Sequence, residues 1–242
     1  MEVTHTQTSV VLLYHRLGLP KLGSLVAGQY VAPRLFRWQL DYLCARGWRG
    51  VPLADMLRDP GAALDDQFSV TFDDGYLCVY EHAIPALAER NVTATIYVVA
   101  GSVDGINDWD RNAGDQTERM MSREQIREIA DLGFEIGSHT MTHPRLTELS
   151  DDQLAQELTD SKKALEDIIG REVTAFSYPY GNRDTRVIRA VAAAGYSTAV
   201  STRLGTVTEG ISAFEIPRAN IRWNTFGPLL ARKINRARRA SK

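Results

Sequence analysis

The residues best suited to chemistry begin with two adjacent acids, Asp73 and Asp74, which follow the short apolar segment 68–72. Neighbouring residues of a strand point to opposite faces, so both carboxylates can share one site only where the strand ends or bends. Gly75 follows them directly and permits such a bend. Barrel enzymes place their chemistry at the carboxyl ends of strands, which makes this position a candidate site. The alternative interpretation is an ordinary Asp-Asp-Gly turn.

Two histidines form a second candidate pattern. His139 and His143 lie four residues apart after another apolar segment. At this spacing two imidazoles can face one metal ion if the intervening turn is roughly helical. Pro144 disfavours helical geometry at His143, so the pattern indicates a turn at a strand end and not the long helix of a zincin metalloprotease. Two histidines without a metal are the alternative.

Combined, the two imidazoles and one carboxylate form a three-ligand set that leaves positions open for water and substrate. Such a set suits Zn²⁺ first, and also Fe²⁺, Co²⁺ or Ni²⁺. A divalent ion can polarise a carbonyl group and can lower the pKa of water toward about 7. The second acid is then free to act as a general base.

A third pattern is the turn Tyr178-Pro179-Tyr180-Gly181, again after an apolar segment. Proline and glycine fix a turn in which backbone N–H groups can point into a site. A hydrolytic site needs such donors for the oxyanion that develops during the reaction. An ordinary strand-terminating turn is the alternative interpretation.

Short apolar segments alternate with amphipathic ones, which predicts a βα layout around a parallel sheet or barrel. The apolar segments are brief and rich in β-branched or aromatic residues, as in strands covered on both faces. Ser122 and Ser150 each precede a glutamine by three residues, a capping-box pattern that begins a helix. The predicted strands are 9–14, 68–72, 93–99, 134–138 and 174–178. The predicted helices are 33–46, 123–132, 150–170 and 184–194.

Composition limits the class of protein. The chain has 242 residues, of which 44% are hydrophobic, and a formal net charge of −2. These values predict a single folded domain over 1–242, with a core at about 9–225, and argue against nucleic acid as the main partner. Cys44 and Cys78 are too few for a disulfide framework and are expected to be reduced, buried thiols. No apolar run is long enough to span a bilayer, and no secretory signal is recognisable, so we expect a cytoplasmic protein.

Two further segments stand out. The stretch 101–121 is rich in Gly, Asp and Asn and predicts a long loop, in which Trp109 is a candidate to contact substrate. The basic stretch 231–242 is expected to be the solvated, frayed end of a helix. Its alternative role is weak attraction to an anionic membrane surface or an anionic glycan.

The motifs Thr-Phe-Asp-Asp-Gly, Ser-His-Thr-Met-Thr-His and Tyr-Pro-Tyr-Gly, in this order, resemble those of the polysaccharide deacetylase family, also called carbohydrate esterase family 4. The resemblance covers roughly residues 9–225. It implies an α/β fold, a distorted (β/α)7 barrel, and metal-dependent removal of acetyl groups from sugars.

The resemblance also implies roles for individual residues. Asp73 resembles the general base that activates the attacking water. The backbone N–H of Tyr180 resembles an oxyanion donor, and Tyr76 and Tyr178 are expected to line the sugar pocket. The implied metal ligands are Asp74, His139 and His143.

The chain departs from the family pattern in two places. Tyr178 stands where many members carry an arginine that holds the base carboxylate, and Arg218 is a candidate to replace that arginine beside Asp73. The late Leu-x-Leu-His segment that usually supplies the general-acid histidine is also missing. His15 is the best substitute, because its segment Leu-Leu-Tyr-His-Arg resembles the branch of poly-N-acetylglucosamine deacetylases. His5 and His82 are expected to be structural or terminal.

These patterns predict a hydrolase that removes an acetyl group, most simply an N-acetyl group, from an amino sugar, an oligosaccharide or a glycan intermediate. The expected partner is an acetylated sugar. Two other hypotheses stay open at this point: an amidase that acts on a non-sugar C–N bond, and an inactive module that binds glycans.

Overall fold

A computed structural model describes residues 7–58 and 66–241. His5 lies outside the described residues. Strands and helices alternate along the chain, as the sequence predicted. The strands are β1 (Ser9–Tyr14), β2 (Arg16–Leu17), β3 (Tyr30–Val31), β4 (Arg49–Gly50), β5 (Gln67–Phe72), β6 (Ala94–Val98), β7 (Glu135–Ser138), β8 (Ala175–Ser177), β9 (Thr198–Val200) and β10 (Ala219–Asn220). The helices are α1 (Pro33–Cys44), α2 (Leu53–Arg58), α3 (Leu77–Ala88), α4 (Asp108–Asn112), α5 (Arg123–Asp131), α6 (Asp151–Ile169), α7 (Thr185–Ala193) and α8 (Pro228–Ala240).

Seven strands form the main sheet in the order β10–β1–β5–β6–β7–β8–β9, and β4 adds to the start of β5. All of these pairings are parallel. A parallel bridge between Val200 and Ile216 brings the segment before β10 against β9, so the sheet curls round on itself. This arrangement confirms the predicted distorted (β/α)7 barrel.

The core lies on both faces of this sheet. β1 and β5 are buried along their whole length, which explains their nearly continuous apolar sequences. Helices cover the outside with one apolar stripe each; in α6 the stripe includes Leu154, Leu158 and Leu165, all at most 1% exposed. Each such leucine stabilises the fold by about 2 kcal/mol relative to an exposed one.

The helix boundaries follow the signals in the sequence. Ser122 and Ser150 both form complete capping boxes, as predicted, with Gln125 and Gln153. Gly170 ends α6 in a left-handed conformation, with φ of 68°. The stretch 101–121 is not a simple loop, because α4 lies within it. At five residues, this helix is too short to show a periodic pattern.

The basic C-terminal stretch differs from its prediction. Residues 228–240 form α8, in which Leu230, Ile234 and Ala237 are buried. Their spacing of four and three residues places them on one face of the helix, so that face packs against the barrel. Arg232, Arg236 and Arg239 are exposed. The frayed end expected for 231–242 is therefore wrong as far as Ala240, because the intervening charges mask a regular apolar stripe.

Both cysteines are free, but only part of the expectation for them holds. Cys78 is half-buried, whereas Cys44, the last residue of α1, is exposed. None of the described helices has the length and apolar character needed to cross a bilayer. The cytoplasmic location stays a prediction.

Candidate active site

The predicted site residues come together at one edge of the barrel. His15 follows β1, Asp73 and Asp74 follow β5, and His139 follows β7. Tyr180 lies in the tight turn after β8. Parallel strands bring their carboxyl ends to the same edge, which is why residues far apart in sequence converge here.

Three buried side chains converge on a single point. The Nε2 atoms of His139 and His143 lie 3.4 and 3.5 Å from Oδ1 of Asp74. Ligands of a tetrahedral zinc ion, with bonds of about 2.1 Å, are about 3.4 Å apart, so this spacing suits a metal. Oδ1 of Asp74 has no hydrogen-bond partner of ordinary geometry among the described residues. A buried carboxylate oxygen without a donor is costly, and a bound cation would satisfy it.

The orientation of His139 is fixed by its second nitrogen. Nδ1 of His139 lies 2.7 Å from the carbonyl oxygen of Ser177, which can only accept a hydrogen bond. Nδ1 therefore carries the proton, and Nε2 turns its lone pair toward Asp74. A backbone contact of this kind is the usual support for a metal-binding imidazole.

The second imidazole is held by aromatic rings. The Trp109 ring stacks on His143, with centroids 4.6 Å apart and an angle of 26°. The Tyr180 ring meets His143 edge-on, also at 4.6 Å, and the guanidinium of Arg145 covers Tyr180 at 4.6 Å. Burial lowers the pKa of His143 to about 3, so its ring is neutral at physiological pH and free to act as a ligand.

The backbone of the site is strained. Asp74, Thr140, His143 and Tyr180 have φ between 57° and 77° and account for four of the six non-glycine residues with positive φ in the described part of the chain. Each such residue costs on the order of 1–3 kcal/mol, and strain of this kind concentrates at functional sites. The left-handed turn at Asp74 allows its carboxylate to reach the histidines although Asp73 is its neighbour.

Hydrogen bonds offset the strain in the histidine loop. The hydroxyl of Thr140 accepts a bond of 3.0 Å from the N–H of His143. Glu157 of α6 accepts bonds of 2.9 Å from the N–H groups of both Met141 and Thr142, and one of 2.6 Å from the Thr142 hydroxyl. One side chain of α6, that of Glu157, thus fixes the loop that carries both imidazoles.

Asp73 is held by a fork of hydrogen bonds from Arg218. The two terminal nitrogens of Arg218 each donate to one carboxylate oxygen at 2.7 Å, and the Ser177 hydroxyl donates to Asp73 at 3.2 Å. Burial alone would raise the pKa of Asp73, but the charge of Arg218 holds it below its usual range. Asp73 is therefore ionised at neutral pH and fixed in orientation.

The contact expected between Arg218 and Asp73 is thus present, but Arg218 is not a substrate-binding residue of an open pocket. Its side chain is fully buried. Its remaining donor, Nε, bonds to the carbonyl oxygen of Ser201 at 2.9 Å. Every part of the guanidinium faces protein, so its effect on a substrate would pass through Asp73.

His15 lies within electrostatic range of the same groups. Burial lowers the pKa of His15, while the charges of Asp74 and Asp73 act in the opposite direction. Its Nδ1 is buried and has no hydrogen-bond partner among the described residues. A proton-transfer role for His15 stays a prediction, and its position beside the two acids is compatible with that role.

Comparison with known proteins decides the family. The family model described as polysaccharide deacetylase matches residues 62–199. The chain belongs to the polysaccharide deacetylase family. YxkH of Bacillus subtilis, whose name places it among polysaccharide deacetylases, is 29% identical over 152 residues, which are 63% of this chain and 50% of that protein. A poly-beta-1,6-N-acetyl-D-glucosamine N-deacetylase of Staphylococcus aureus is 25% identical over 67% of this chain and 57% of its own length.

Solved structures agree with this assignment. IcaB from Ammonifex degensii is 28% identical, with a TM-score of 0.79 over 96% of this chain and 99% of that one. The polysaccharide deacetylase BC0361 from Bacillus cereus is 26% identical, with a TM-score of 0.80 over 94% of this chain and 69% of that one. The chain spans about half the length of the curated relatives it matches.

Two tyrosines of this deacetylase-family chain lie elsewhere than predicted. Tyr178 is buried in the core and donates a 3.0 Å hydrogen bond to the carbonyl oxygen of Phe214. Ser177, its neighbour, points toward Asp73, so alternation along the strand turns Tyr178 to the opposite face. Tyr76 is also fully buried. The prediction that Tyr76 and Tyr178 line the sugar pocket is therefore wrong.

Tyr76 belongs instead to a buried polar cluster that the sequence did not reveal. Arg16, which is 1% exposed, donates to the Tyr76 hydroxyl and pairs with the carboxylate of Asp110. Asn107 donates to the same carboxylate at 2.6 Å. The cluster ties α4 to the end of β1 and so places Trp109 against His143. The only signal in the sequence was an arginine directly after His15.

Proposed function

We propose that this chain hydrolyses the acetamide group of an N-acetylated amino sugar, releasing acetate and a free amine. One observation carries the proposal. Asp74, His139 and His143 offer three ligand atoms within 4.8 Å of one another, directly beside an acid that Arg218 holds ionised. The relative from Staphylococcus aureus, named as an N-deacetylase of poly-beta-1,6-N-acetyl-D-glucosamine, supports a sugar substrate and an N-acetyl group.

The three-ligand set is proposed to hold a divalent metal, with Zn²⁺ the best match. Two neutral imidazoles and one carboxylate are typical of catalytic zinc sites, and Fe²⁺, Co²⁺ and Ni²⁺ accept the same ligands. A cation held there would act as a Lewis acid on the acetyl carbonyl and would ease deprotonation of the attacking water.

The residues of the chain divide the proton transfers. Asp73 takes a proton from the attacking water, and Arg218 keeps its carboxylate in place for this step. The N–H of Tyr180 donates a hydrogen bond to the oxyanion that forms on the acetyl carbon. Protonated His15 then delivers its proton to the departing nitrogen, so that the C–N bond breaks to give acetate and amine. The proton held by Asp73 afterwards restores protonated His15.

The sugar ring is proposed to rest against aromatic surface at the mouth of the site. Tyr180 is 50% exposed, and Trp109 is half-buried. Both rings flank His143. The apolar face of a pyranose packs well on such rings, which leaves its acetamide group free to reach the acids below.

Metal removal tests the proposal directly. We expect the purified protein to contain about one equivalent of divalent metal and to release acetate from N-acetylglucosamine oligomers. A chelator should abolish this release and added Zn²⁺ should restore it. His139→Ala should lose both metal and activity, whereas the control His82→Ala, an exposed histidine of α3, should keep both. Bound metal without release of acetate from any acetylated sugar would favour an amidase or a glycan-binding module.

A further inference from the structure

The charges of the chain are unevenly distributed. All 30 Asp and Glu residues lie at or before Glu215, whereas residues 217–242 carry eight Lys and Arg and no acid. A protein with a net charge of only −2 thus has one strongly basic end. In the fold this end comprises β10, the loop that follows it and α8. An asymmetry of this size attracts anions to one part of the surface.

Part of this basic end lines an open cavity of about 450 Å³ beside α8. Besides the fully buried Arg218, four cationic side chains line it: Arg222, Arg232, Lys233 and Arg236. None of the four forms an ion pair with an acid in the described part of the chain. Burial and the charges of Arg222 and Arg236 lower the pKa of Lys233, as expected where cations are close together.

Hydrogen bonds hold Arg222 and Lys233, two of these like charges, in place. The N–H of Arg222 donates to the Thr225 hydroxyl at 3.0 Å. The carbonyl oxygen of Thr225 accepts a 2.6 Å bond from the buried Gln39 of α1, which in turn accepts one from Tyr14 of β1. The ammonium of Lys233 donates to the carbonyl oxygen of Asn220. The other two, Arg232 and Arg236, lie on α8, whose apolar face is packed.

The cavity adjoins the proposed active site. The wall of the cavity includes Arg218, which is itself fully buried and whose guanidinium is turned to Asp73. It also includes Thr202, which lies so near the turn of Tyr180 that a Cβ on Gly181 would be 2.0 Å from its hydroxyl. A ligand that reached from this cavity past Thr202 and the turn of Tyr180 would place its acetamide at the acids and an anionic group beside α8.

We propose that this cavity binds the diphosphate of an N-acetyl sugar that is carried on a diphosphate linkage. The inference rests on the deacetylase function proposed above. A single carboxylate has one negative charge, which is fewer than four cations can neutralise. A diphosphate has several negative charges and many acceptor oxygens. Three of the four are arginines, whose planar donors match phosphate oxygens in pairs. The volume also exceeds that of one small anion.

Binding of inorganic pyrophosphate to the full chain tests the site without catalysis. The double variant Arg222→Gln/Arg236→Gln should bind pyrophosphate at least about tenfold more weakly by calorimetry, because two of the four charges are lost. The control Arg189→Gln removes an exposed arginine of α7 and should bind like the wild type. Equal affinity of the double variant and the wild type would overturn the proposal.

Kinetics with matched substrates test the role of the cavity in substrate binding. For an N-acetylglucosamine linked to a nucleoside diphosphate or to a prenyl diphosphate, the double variant should have a KM about tenfold higher and an unchanged kcat. For the neutral N-acetylglucosamine oligomer, both KM and kcat should stay unchanged. A preference between the two diphosphates would identify the natural carrier. An unchanged KM for both would overturn the role.

Two further outcomes separate this inference from the function on which it rests. Loss of binding to anionic phospholipid vesicles in the double variant, with KM unchanged for both diphosphates, would assign the cations to a membrane surface and overturn the diphosphate site. Pyrophosphate binding that depends on Arg222 and Arg236, without acetate release from any substrate, would support the anion site and count against the deacetylase function.

Discussion

At the scale of single residues, two neighbouring acids have opposite surroundings. Asp73 faces the guanidinium of Arg218, whereas Asp74 faces two imidazoles. The positive φ of Asp74 is what separates them, since it turns one carboxylate away from the direction of the other. The site therefore has one acid for a metal and one for a proton, although the sequence reads simply as Asp-Asp.

This separation predicts distinct effects of replacing Asp73. Asp73→Asn should retain metal, because the three proposed ligands are untouched, but should lower kcat by about 10²–10⁴-fold through loss of the base. Metal analysis and acetate release check both parts. The control Asp152→Asn, on the exposed start of α6, should change neither. Turnover of Asp73→Asn at the wild-type rate would show that another group is the base.

The ion pair of Asp73 with Arg218 predicts how the stability of the fold depends on pH. Because the folded pKa of Asp73 lies below its ordinary value, its ionised form stabilises the fold fully above about pH 4, and this stabilisation is lost as the pH falls through the folded pKa. Asp73→Asn mimics the protonated group. The difference in unfolding free energy between wild type and variant, measured with urea and a chelator, should be largest near neutral pH and shrink on acidification. A difference that grows on acidification would contradict the assignment.

At the scale of elements, two helices add to the support that the site receives from its own strands and loops. Glu157 lies on α6 but holds the loop between His139 and His143. Asp110 lies on α4 and pairs with Arg16, at the start of β2. The contact between Arg16 and Asp110 is buried, so it has more effect than an exposed pair would. Glu157 acts instead through several bonds to one loop.

Loss of the Glu157 carboxylate should loosen the histidine loop. Glu157→Gln keeps the shape of the side chain but removes the charge that accepts from two backbone N–H groups. We expect metal affinity to fall about 10–100-fold, as for other supports of metal ligands. Competition with a fluorescent chelator measures it. Asp160→Asn, an exposed acid one turn further along α6, is the matched control. Equal metal affinities of Glu157→Gln and Asp160→Asn would show that Glu157 does not support the histidine loop.

The position of Trp109 predicts a binding effect. Trp109→Ala removes the ring stacked on His143 and the surface proposed for the sugar, so KM should rise about tenfold with metal retained. Trp38→Ala, on α1 and beside Tyr42, controls for the loss of an indole elsewhere. If the two variants had the same KM, the sugar would lie away from Trp109.

At the scale of the whole molecule, α8 completes the fold beside β10. Its apolar stripe is buried, while its cations gather at the basic end of the chain. Burial of this stripe fixes the orientation of α8 and therefore the positions of its arginines.

This role in packing predicts a stability effect. Ile234→Ala should lower the unfolding free energy by about 2–4 kcal/mol, because it leaves a cavity under α8. Leu132→Ala, whose side chain is 62% exposed, should cost far less. Denaturant unfolding of both variants measures the difference. A cost at Ile234 as small as that at Leu132 would mean that α8 is only loosely attached.

The sequence by itself determined the features that depend on neighbouring residues. Strand-end acids, the spacing of His139 and His143, and the capping boxes at Ser122 and Ser150 all follow from local geometry, which a few adjacent residues fix. The order of the three motifs then indicated the family and the barrel. The region of the site was predictable because parallel strands must bring their carboxyl ends to one edge.

Only the tertiary structure decided which distant side chains meet. Arg218 and Asp73 are 145 residues apart, and Arg16 and Asp110 are 94 apart. The face taken by Tyr178 depended on where β8 ends, which a one-residue shift would reverse. Such contacts follow from the packing of whole elements around the core. The spacing of residues in the sequence does not predict these contacts, because the chain between two partners can take many paths.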